Sequence, residues 1–148
     1  MDMAFVANPT IAIPTDNALQ VSVYIPDTEG PLIVSYTLNL QDIMQLTFNE
    51  PVLVSALSFT GISLSSMANG TAGVVLSGGQ LLPPGNVDGV LIVVIQLTDK
   101  DVSQLKLDLL DIFTTFDLSE VLLSAETDII RDFADNGNLQ VVGIQLLP

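Results

Sequence analysis

Cysteine, histidine and tryptophan are absent from this chain of 148 residues. Their absence excludes disulfides, cysteine and histidine nucleophiles, and zinc sites built from these side chains. Cations are scarce as well, because 3 Lys and Arg residues stand against 17 acids and the net charge is −14. Nucleic-acid backbones and anionic membrane surfaces are both recognised by clustered Lys and Arg. We therefore expect neither nucleic acid nor a membrane as a partner.

Long apolar runs are also missing from the sequence. The longest run, Val90–Ile95, is far shorter than the roughly 20 residues that a membrane-spanning helix needs. The first residues, Met1–Pro9, lack the basic segment and the apolar stretch of a secretory signal, so we expect no export of the chain as written. Only 14% of the residues are charged, whereas 49% are hydrophobic. With so few charges, part of the surface is expected to be covered by something other than water.

Apolar residues recur at every second position between Gly, Pro, Asn and Asp, which is typical of β-strands. The clearest stretch runs from 34 to 48, and Gln41-Asp42 breaks its phase, so a bend, a bulge or a crossover is expected there. Other strands are predicted over 21–25, 53–59, 71–77, 90–97, 105–109 and 139–147, the last with a bulge near Val141-Val142. About nine strands predict an all-β, antiparallel sandwich of the immunoglobulin-like or jelly-roll kind.

Residues 117 to 133 have a different pattern, with apolar side chains near one helical face and Asp117 and Glu120 resembling a capping box. The pattern is compatible with one short helix or with two short β segments around Ser124–Thr127. For the domain organisation, we predict an N-terminal arm over residues 1–17 and a single β-sandwich domain over residues 18–148.

Two apolar stretches are candidates for a protein interface. The N-terminal arm is too apolar for a free tail, and the nearly continuous apolar strand 90–97 is expected to be buried on both faces or to carry an outward face at a subunit contact. Burial of these surfaces predicts a symmetric homo-oligomer, with a trimer as the favoured state. The predicted interface residues are Phe5, Val6, Ile11, Ile13, Val90, Ile92 and Val94.

Three short motifs resemble the cohesin family of jelly-roll sandwiches, which are similar to carbohydrate-binding modules. Residues 48–57 resemble a strand closed by an aromatic, a turn at Pro51 and a following Leu-rich strand. Residues 88–97 are similar to the opening of a later cohesin strand, and residues 135–142 look like the family's Asn-Gly-x-Ile-x-Val ending. The resemblance implies a nine-stranded jelly roll whose usual role is docking to another protein. Asn49-Glu50 depart from the pattern, because the family favours Asp directly before the proline.

Each of these motifs is a structural device. Pro51 fixes a turn, Gly89 begins a buried strand, and Asn136-Gly137 are expected to supply the positive-φ residues of a hairpin turn. None of them is an element of catalysis or ligand binding.

Carboxylates are the only plentiful ionisable groups, so an acid–base glycosidase and a calcium site are the chemistries to weigh. A glycosidase usually needs aromatic sugar platforms, and this chain has 2 Tyr, 6 Phe and no Trp. The densest oxygen cluster comprises Asp128, Asp132, Asp135 and Asn136; a weaker one comprises Asp99 and Asp101. Neither cluster has the spacing of an EF-hand loop. We therefore predict a solvated acidic face and expect no enzyme activity, no cofactor and no metal.

The sequence thus predicts a structural, non-enzymatic protein with protein partners. The favoured role is a cement or decoration subunit of a phage capsid, located in the virion. The alternative is a cohesin-like binding module of a bacterial surface or scaffold system, exported as part of a longer precursor. The genes beside this one would separate the two roles, since capsid and portal genes mark the first and dockerin-bearing proteins the second.

Overall fold

A computed structural model describes residues 23–39, 41–66, 73–110 and 121–145. Two four-stranded antiparallel sheets enclose one hydrophobic core, so the predicted all-β sandwich is confirmed. The described residues form eight strands, against about nine expected. The elements are β1 (Ile33–Leu38), β2 (Ile43–Val52), β3 (Ile62–Ser66), β4 (Val74–Val75), β5 (Gly79–Leu81), β6 (Val90–Leu97), α1 (Asp99–Leu110), β7 (Val121–Ala125) and β8 (Val141–Gln145).

The strand order is β1-β2-β6-β5 in the first sheet and β4-β3-β7-β8 in the second. Each sheet therefore combines an early hairpin with strands from later in the chain. Alternate side chains of the central strands point into the core, as the period-two pattern predicts. The largest fully buried side chains of the hydrophobic core include Tyr36, Met44, Leu46, Ile62, Leu64, Leu76, Ile95, Leu123 and Ile130.

The phase break at Asp42 is a tight turn between neighbouring strands of one sheet. Asp42 has a φ of 62°, and the Asn39 side-chain oxygen accepts hydrogen bonds from the backbone N–H groups of Gln41 and Ile43. The register of β1 against β2 also shifts between Ile33 and Ser35. Ile33 consequently enters the core, whereas Val34, which the alternation assigned to the buried face, is half exposed.

Helix α1 occupies the place where a strand was predicted over 105–109. Thr98 precedes it as the N-cap, and its hydroxyl accepts a hydrogen bond from Asp101 N–H. Val102 and Leu105 share a buried helical face that packs toward β3 and β4, whereas Leu107 is exposed. The alternation was therefore misleading, because Leu105, at helical spacing from Val102, belongs to the core and Leu107 does not.

The helix considered near 117–133 is wrong for residues 121–133. Residues 121–125 form β7, which pairs with β3 on one side and β8 on the other, and residues 126–140 form a long loop. Val121, Leu123 and Ala125 are buried at period two. The alternative of a β segment is thus confirmed for β7, while residues 117–120 lie outside the described part.

Three other predicted strands also differ from the structure. Val23–Ile25 belong to no strand and are exposed, and the segment 53–59 contains 3-10 turns at Val54–Ala56 and Phe59–Gly61. Of the predicted strand 71–77, the described residues 73–77 contain only the two residues of β4. The irregularity expected in the closing strand is confirmed, since Gly143 has a φ of 68° and the β7–β8 register shifts beside it.

The predicted N-terminal arm, residues 1–17, lies outside the described residues. Within the described ranges, no helix is long and apolar enough to cross a membrane.

Candidate functional site

A surface cavity of about 350 Å³ lies between the segment before β1, the end of β2 and the loop 126–140. Three carboxylates from these regions, Asp27, Glu50 and Asp132, each place one oxygen atom within 4.8 Å of the others'. We call these three residues the acidic cluster, and the cavity the acidic–aromatic pocket. The pocket is lined by Tyr24, Asp27, Glu50, Pro51, Asp132, Phe133 and Ala134.

Asp27 belongs to a segment, residues 27–32, that we call the strap. Asn49 of β2 holds its end through two hydrogen bonds, from Leu32 N–H to Asn49 Oδ1 at 2.7 Å and from Asn49 N–H to Leu32 O at 3.1 Å. On the other side, Leu139 N–H donates to Pro31 O at 3.1 Å. Gly30 packs so closely on the Gly137 carbonyl that a side chain at Gly30 would have no room. The strap therefore links β2 to the loop 126–140.

Asp132 organises the loop on which it lies. Its Oδ1 accepts hydrogen bonds from the backbone N–H groups of Ala134 and Asn136, both at 2.8 Å, and its Oδ2 accepts one from Asn136 Nδ2 at 2.9 Å. The same Asn136 amide also contacts the strap carbonyls of Asp27 at 3.3 Å and Glu29 at 3.2 Å. Asn136 thus joins the strap to the acidic cluster.

A second asparagine, Asn138, holds the other end of this loop. Its side chain is buried and makes four hydrogen bonds, accepting from Ile129 and Ile130 N–H and donating to the carbonyls of Glu126 and Leu139. These bonds add to the short antiparallel pairing of Arg131 with Gly137, so the pocket wall has a defined shape.

The environments of Glu50 and Asp132 differ. Burial raises the pKa of Glu50, and the charges of Asp27, Asp132 and Glu29 raise it further. Burial also opposes ionisation of Asp132, but the hydrogen bonds from Asn136, Ala134 and Asp135 outweigh it and hold the pKa of Asp132 below its ordinary value. The two carboxyls are therefore shifted in opposite directions.

None of the residues lining the pocket is basic. Arg131, which neighbours Asp132 in sequence, instead pairs with Asp128 at 3.5 Å and with Asp135 at 3.1 Å. Lys106 lies 3.9 Å from Asp42, outside the pocket. The pocket lining therefore contains no cation to neutralise its carboxylates.

Exposed apolar side chains border the acidic cluster. Tyr24 is 80% exposed and Phe133 is 66% exposed, and both line the pocket. Val23 and Ile25 flank Tyr24 and are also largely exposed. Contiguous exposed apolar surface with polar groups around it is typical of an interaction site.

This arrangement could bind a cation in two ways. Carboxylate oxygens are the ligands that calcium prefers, but three carboxylates are a partial set, and both oxygens of Asp132 already accept hydrogen bonds. Alternatively, the guanidinium or ammonium group of a basic side chain could pair with the carboxylates while its stem or plane lies on Tyr24 or Phe133. Two carboxyls with oppositely shifted pKa values are also the requirement for acid–base catalysis.

The three interface residues predicted on β6 differ in how far they are exposed. Val90 is half-buried against the core, and Ile92 is 44% exposed beside Thr47 of β2. Val94 is buried, and the loop before β6 lies against it, since Leu82 N–H donates to Val94 O and Gly85 approaches the Val94 side chain. Val94 therefore offers no surface to a partner. Phe5, Val6, Ile11 and Ile13 lie outside the described residues.

The oxygen clusters expected from the sequence are divided differently in the fold. Asp132 and Asn136 face the strap, whereas Asp128 and Asp135 pair with Arg131. The weaker cluster also separates, because the buried Asp101 accepts a hydrogen bond from Ser77 N–H at 2.9 Å while Asp99 is exposed.

The turn expected at Asn136-Gly137 needs a correction. Neither residue has a positive φ; the left-handed residues of this loop are Asp128 and Asp135, at 60° and 67°. Gly137 lies close against the Asp128 carboxylate, so a side chain at position 137 would displace that carboxylate.

No family model and no curated protein matches the chain. Among solved structures, the chain is similar to the N-terminal part of the bacterial S-layer protein SbsC, with a TM-score of 0.49 and 13% sequence identity. The similarity covers 78% of this chain and 23% of that one.

Proposed function

We propose that the chain is a non-enzymatic interaction domain that docks on a larger protein assembly through the acidic–aromatic pocket. One observation carries the proposal: exposed Tyr24 and Phe133 border carboxylates that no cation of the pocket lining neutralises. An exposed aromatic side chain gains free energy when a partner covers it, and an uncompensated carboxylate gains when the partner supplies a cation.

The partner with matching chemistry is a protein surface that presents a basic side chain among apolar ones. Its cation would lie between Glu50 and Asp27, where the carboxylates now repel one another. Its apolar atoms would cover Tyr24 and Phe133. The net charge of −14 would steer such a partner toward the domain over long distances at low salt.

The hydrogen bonds that Asp132 already accepts favour docking over catalysis. Three hydrogen bonds from Ala134 and Asn136 occupy both of its oxygens and maintain the loop, so a proton transfer at Asp132 would disturb the pocket wall. A catalytic base in contrast needs an oxygen that is free to accept a proton from the substrate.

For the assembly itself, we propose a phage capsid with this chain as a cement or decoration subunit in the virion, acting as a homo-oligomer. The second candidate is a cohesin-like module at a bacterial surface, favoured by the sandwich fold. The turn expected at Pro51 does not support it, because Glu50 and Pro51 lie within β2. Fractionation of source cells separates the candidates, because the chain would sediment with particles in the first case and with the cell envelope or scaffold in the second.

The docking test compares three forms of the tagged chain in co-sedimentation with the particle or envelope fraction. The variant Tyr24→Ser/Phe133→Ser should lose roughly tenfold or more in affinity, since truncation of a buried aromatic anchor costs about 2 kcal/mol. The control Val142→Ser removes an apolar side chain that is 78% exposed on β8. Equal co-sedimentation of the double variant and the control would reject the pocket as the docking surface.

A further inference from the structure

We propose that Asn136 is a site of spontaneous deamidation, and that its conversion to a carboxylate releases residues 27–29 of the strap from the loop 126–140. The residue after Asn136 is Gly137. Deamidation begins when the backbone nitrogen of the following residue attacks the asparagine side-chain carbonyl, and glycine hinders that approach least because it has no side chain.

The backbone geometry leaves the attacking nitrogen available. Gly137 forms an antiparallel pair with Arg131, and the hydrogen bonds flanking the pair run from Asp132 N–H to Asn136 O and from Asn138 N–H to Ile130 O. In an antiparallel pair of this kind, the N–H groups of the two opposed residues point away from each other. The Gly137 nitrogen can therefore react without breaking a bond of this ladder.

The hydrogen bonds of the Asn136 side chain limit the rate of deamidation. Asn136 Nδ2 donates to the carbonyls of Asp27 and Glu29 and to Asp132 Oδ2, so its carboxamide is held against the strap. The carboxamide must leave these acceptors before its Cγ can turn toward the Gly137 nitrogen. Deamidation in the folded protein consequently requires a transient opening of the strap, which makes it slower than in the unfolded chain.

The reaction needs only water. A bond forms between the Gly137 nitrogen and Asn136 Cγ, the bond from Cγ to Nδ2 breaks, and ammonia leaves with the proton lost from the Gly137 nitrogen. Water then opens the cyclic imide at either of its two carbonyls, which yields an aspartate or an isoaspartate, and no atom changes its oxidation state.

The product cannot make the contacts of the amide. A carboxylate at position 136 has no N–H to donate, and it would face the carbonyl oxygens of Asp27 and Glu29 and the Asp132 carboxylate. Repulsion would replace three hydrogen bonds at the point where the strap meets the loop. Because Asp27 belongs to the strap, the acidic–aromatic pocket would lose one of its walls.

Peptide mass mapping of the wild-type protein in warm, mildly alkaline buffer tests the reaction. The Asn136 peptide should convert in the native protein roughly tenfold to a hundredfold more slowly than in urea, because the strap must open first. An isoaspartate-specific methyltransferase should label the converted fraction. Native protein that retains its Asn136 amide over many half-lives of the unfolded chain would overturn the proposal, as would conversion at equal rates in both states.

A glutamate-specific protease that cuts after Glu29 tests the consequence. The variant Asn136→Asp should be cut at Glu29 at least about tenfold faster than wild type, because the carbonyls of Asp27 and Glu29 no longer accept hydrogen bonds from residue 136. The control Asn69→Asp introduces the same charge at the chain's other Asn-Gly pair, which lies outside the described residues. Cleavage of Asn136→Asp at the rate of the control would show that the strap stays attached and would overturn this part of the proposal. The deamidation kinetics of wild type decide the first part independently of how this variant folds.

Discussion

The Tyr36 hydroxyl donates a hydrogen bond to the Val121 carbonyl at 2.6 Å, and this buried bond joins the two sheets. Tyr36 lies on β1 and Val121 on β7, and neither side chain is exposed. Burial raises the pKa of Tyr36 well above its ordinary value, so the hydroxyl remains a neutral donor. The bond therefore fixes the position of β1 relative to β7 at one point.

The first prediction concerns the loss of the Tyr36 hydroxyl. Tyr36→Phe leaves the Val121 carbonyl without its buried partner, and the free energy of unfolding should fall by about 1–3 kcal/mol. Urea unfolding measures the change. Tyr24→Phe is the matched control, because the Tyr24 side chain is 80% exposed and its hydroxyl can bond to water. Equal stability of the two variants would contradict a structural role for the Tyr36 bond.

The second prediction concerns Asn138. Asn138→Ala removes four hydrogen bonds and leaves two backbone donors and two carbonyls to find other partners. We expect a loss of about 3 kcal/mol or more in unfolding free energy, since each buried unsatisfied group costs about 1–3 kcal/mol. Thermal unfolding compared with the exposed control Gln140→Ala measures it. A loss no larger than that of the control would mean that water replaces the amide.

The third prediction is that Glu50→Gln stabilises the protein near neutral pH. Because the pKa of Glu50 is raised in the folded state, its ionised form opposes folding at pH values above that pKa. The advantage of the variant should shrink as the pH falls through the raised pKa toward the ordinary value of about 4.3, where wild type takes up the proton. Denaturant unfolding across this range, with Glu126→Gln as control, measures the difference. A variant less stable than wild type at neutral pH would show that Glu50 is favourably paired.

The fourth prediction is that neutralising Asp132 changes the stability in the opposite direction to neutralising Glu50. The pKa of Asp132 is lowered on folding, so the carboxylate stabilises the fold above the unfolded value of about 3.9 and loses this contribution as the pH falls through the folded pKa. Asp132→Asn should therefore be less stable than wild type at neutral pH, and the gap should close in acid. Unfolding at matched ionic strength tests this, and a gap that persists in acid would mean that the variant disturbs the loop by its shape alone.

The fifth prediction follows from the expectation that no metal is required. Melting temperatures in EDTA, calcium chloride and sodium chloride of matched ionic strength should differ only by the general screening of the acidic surface. A bound ion would instead stabilise the fold by about 2.7 kcal/mol at a hundred times its Kd. A calcium-specific rise that Asp27→Asn abolishes and Asp88→Asn retains would contradict the prediction and identify the acidic cluster as ligands.

Local patterns were sufficient for much of the first sheet. The alternation around Tyr36 and Leu46 predicted their burial, and Asp42 marked the turn between their strands. Helix α1 could not be distinguished in the same way, because the leucines at 105, 107 and 109 satisfy a period of two as well as a partial helical face. Packing of Val102 and Leu105 against the second sheet decides between these states, and such packing is not visible in a local window.

Less of the candidate site than of the fold could be predicted from the sequence. Asp132 and Asn136 were recognised as oxygen-rich, but their partners Asp27 and Glu50 lie about a hundred positions earlier in the chain, and no spacing rule connects them. Glu50 was noted only as a departure from the turn pattern before Pro51. Its position in the pocket follows from the end of β2, which lines the pocket together with the strap and the loop 126–140.

The strand order also determines when the protein can fold during synthesis. The centre of the second sheet is the pair β3–β7, in which Ile62 lies opposite Ala125. When β3 leaves the ribosome, its partner β7 has not yet been translated. The apolar face of β3 therefore stays uncovered until most of the remaining chain has been made. Closure of this long loop is slow compared with hairpin formation. The nascent chain therefore passes through a stage with one sheet able to form and the other exposed, and a chaperone would act on this stage.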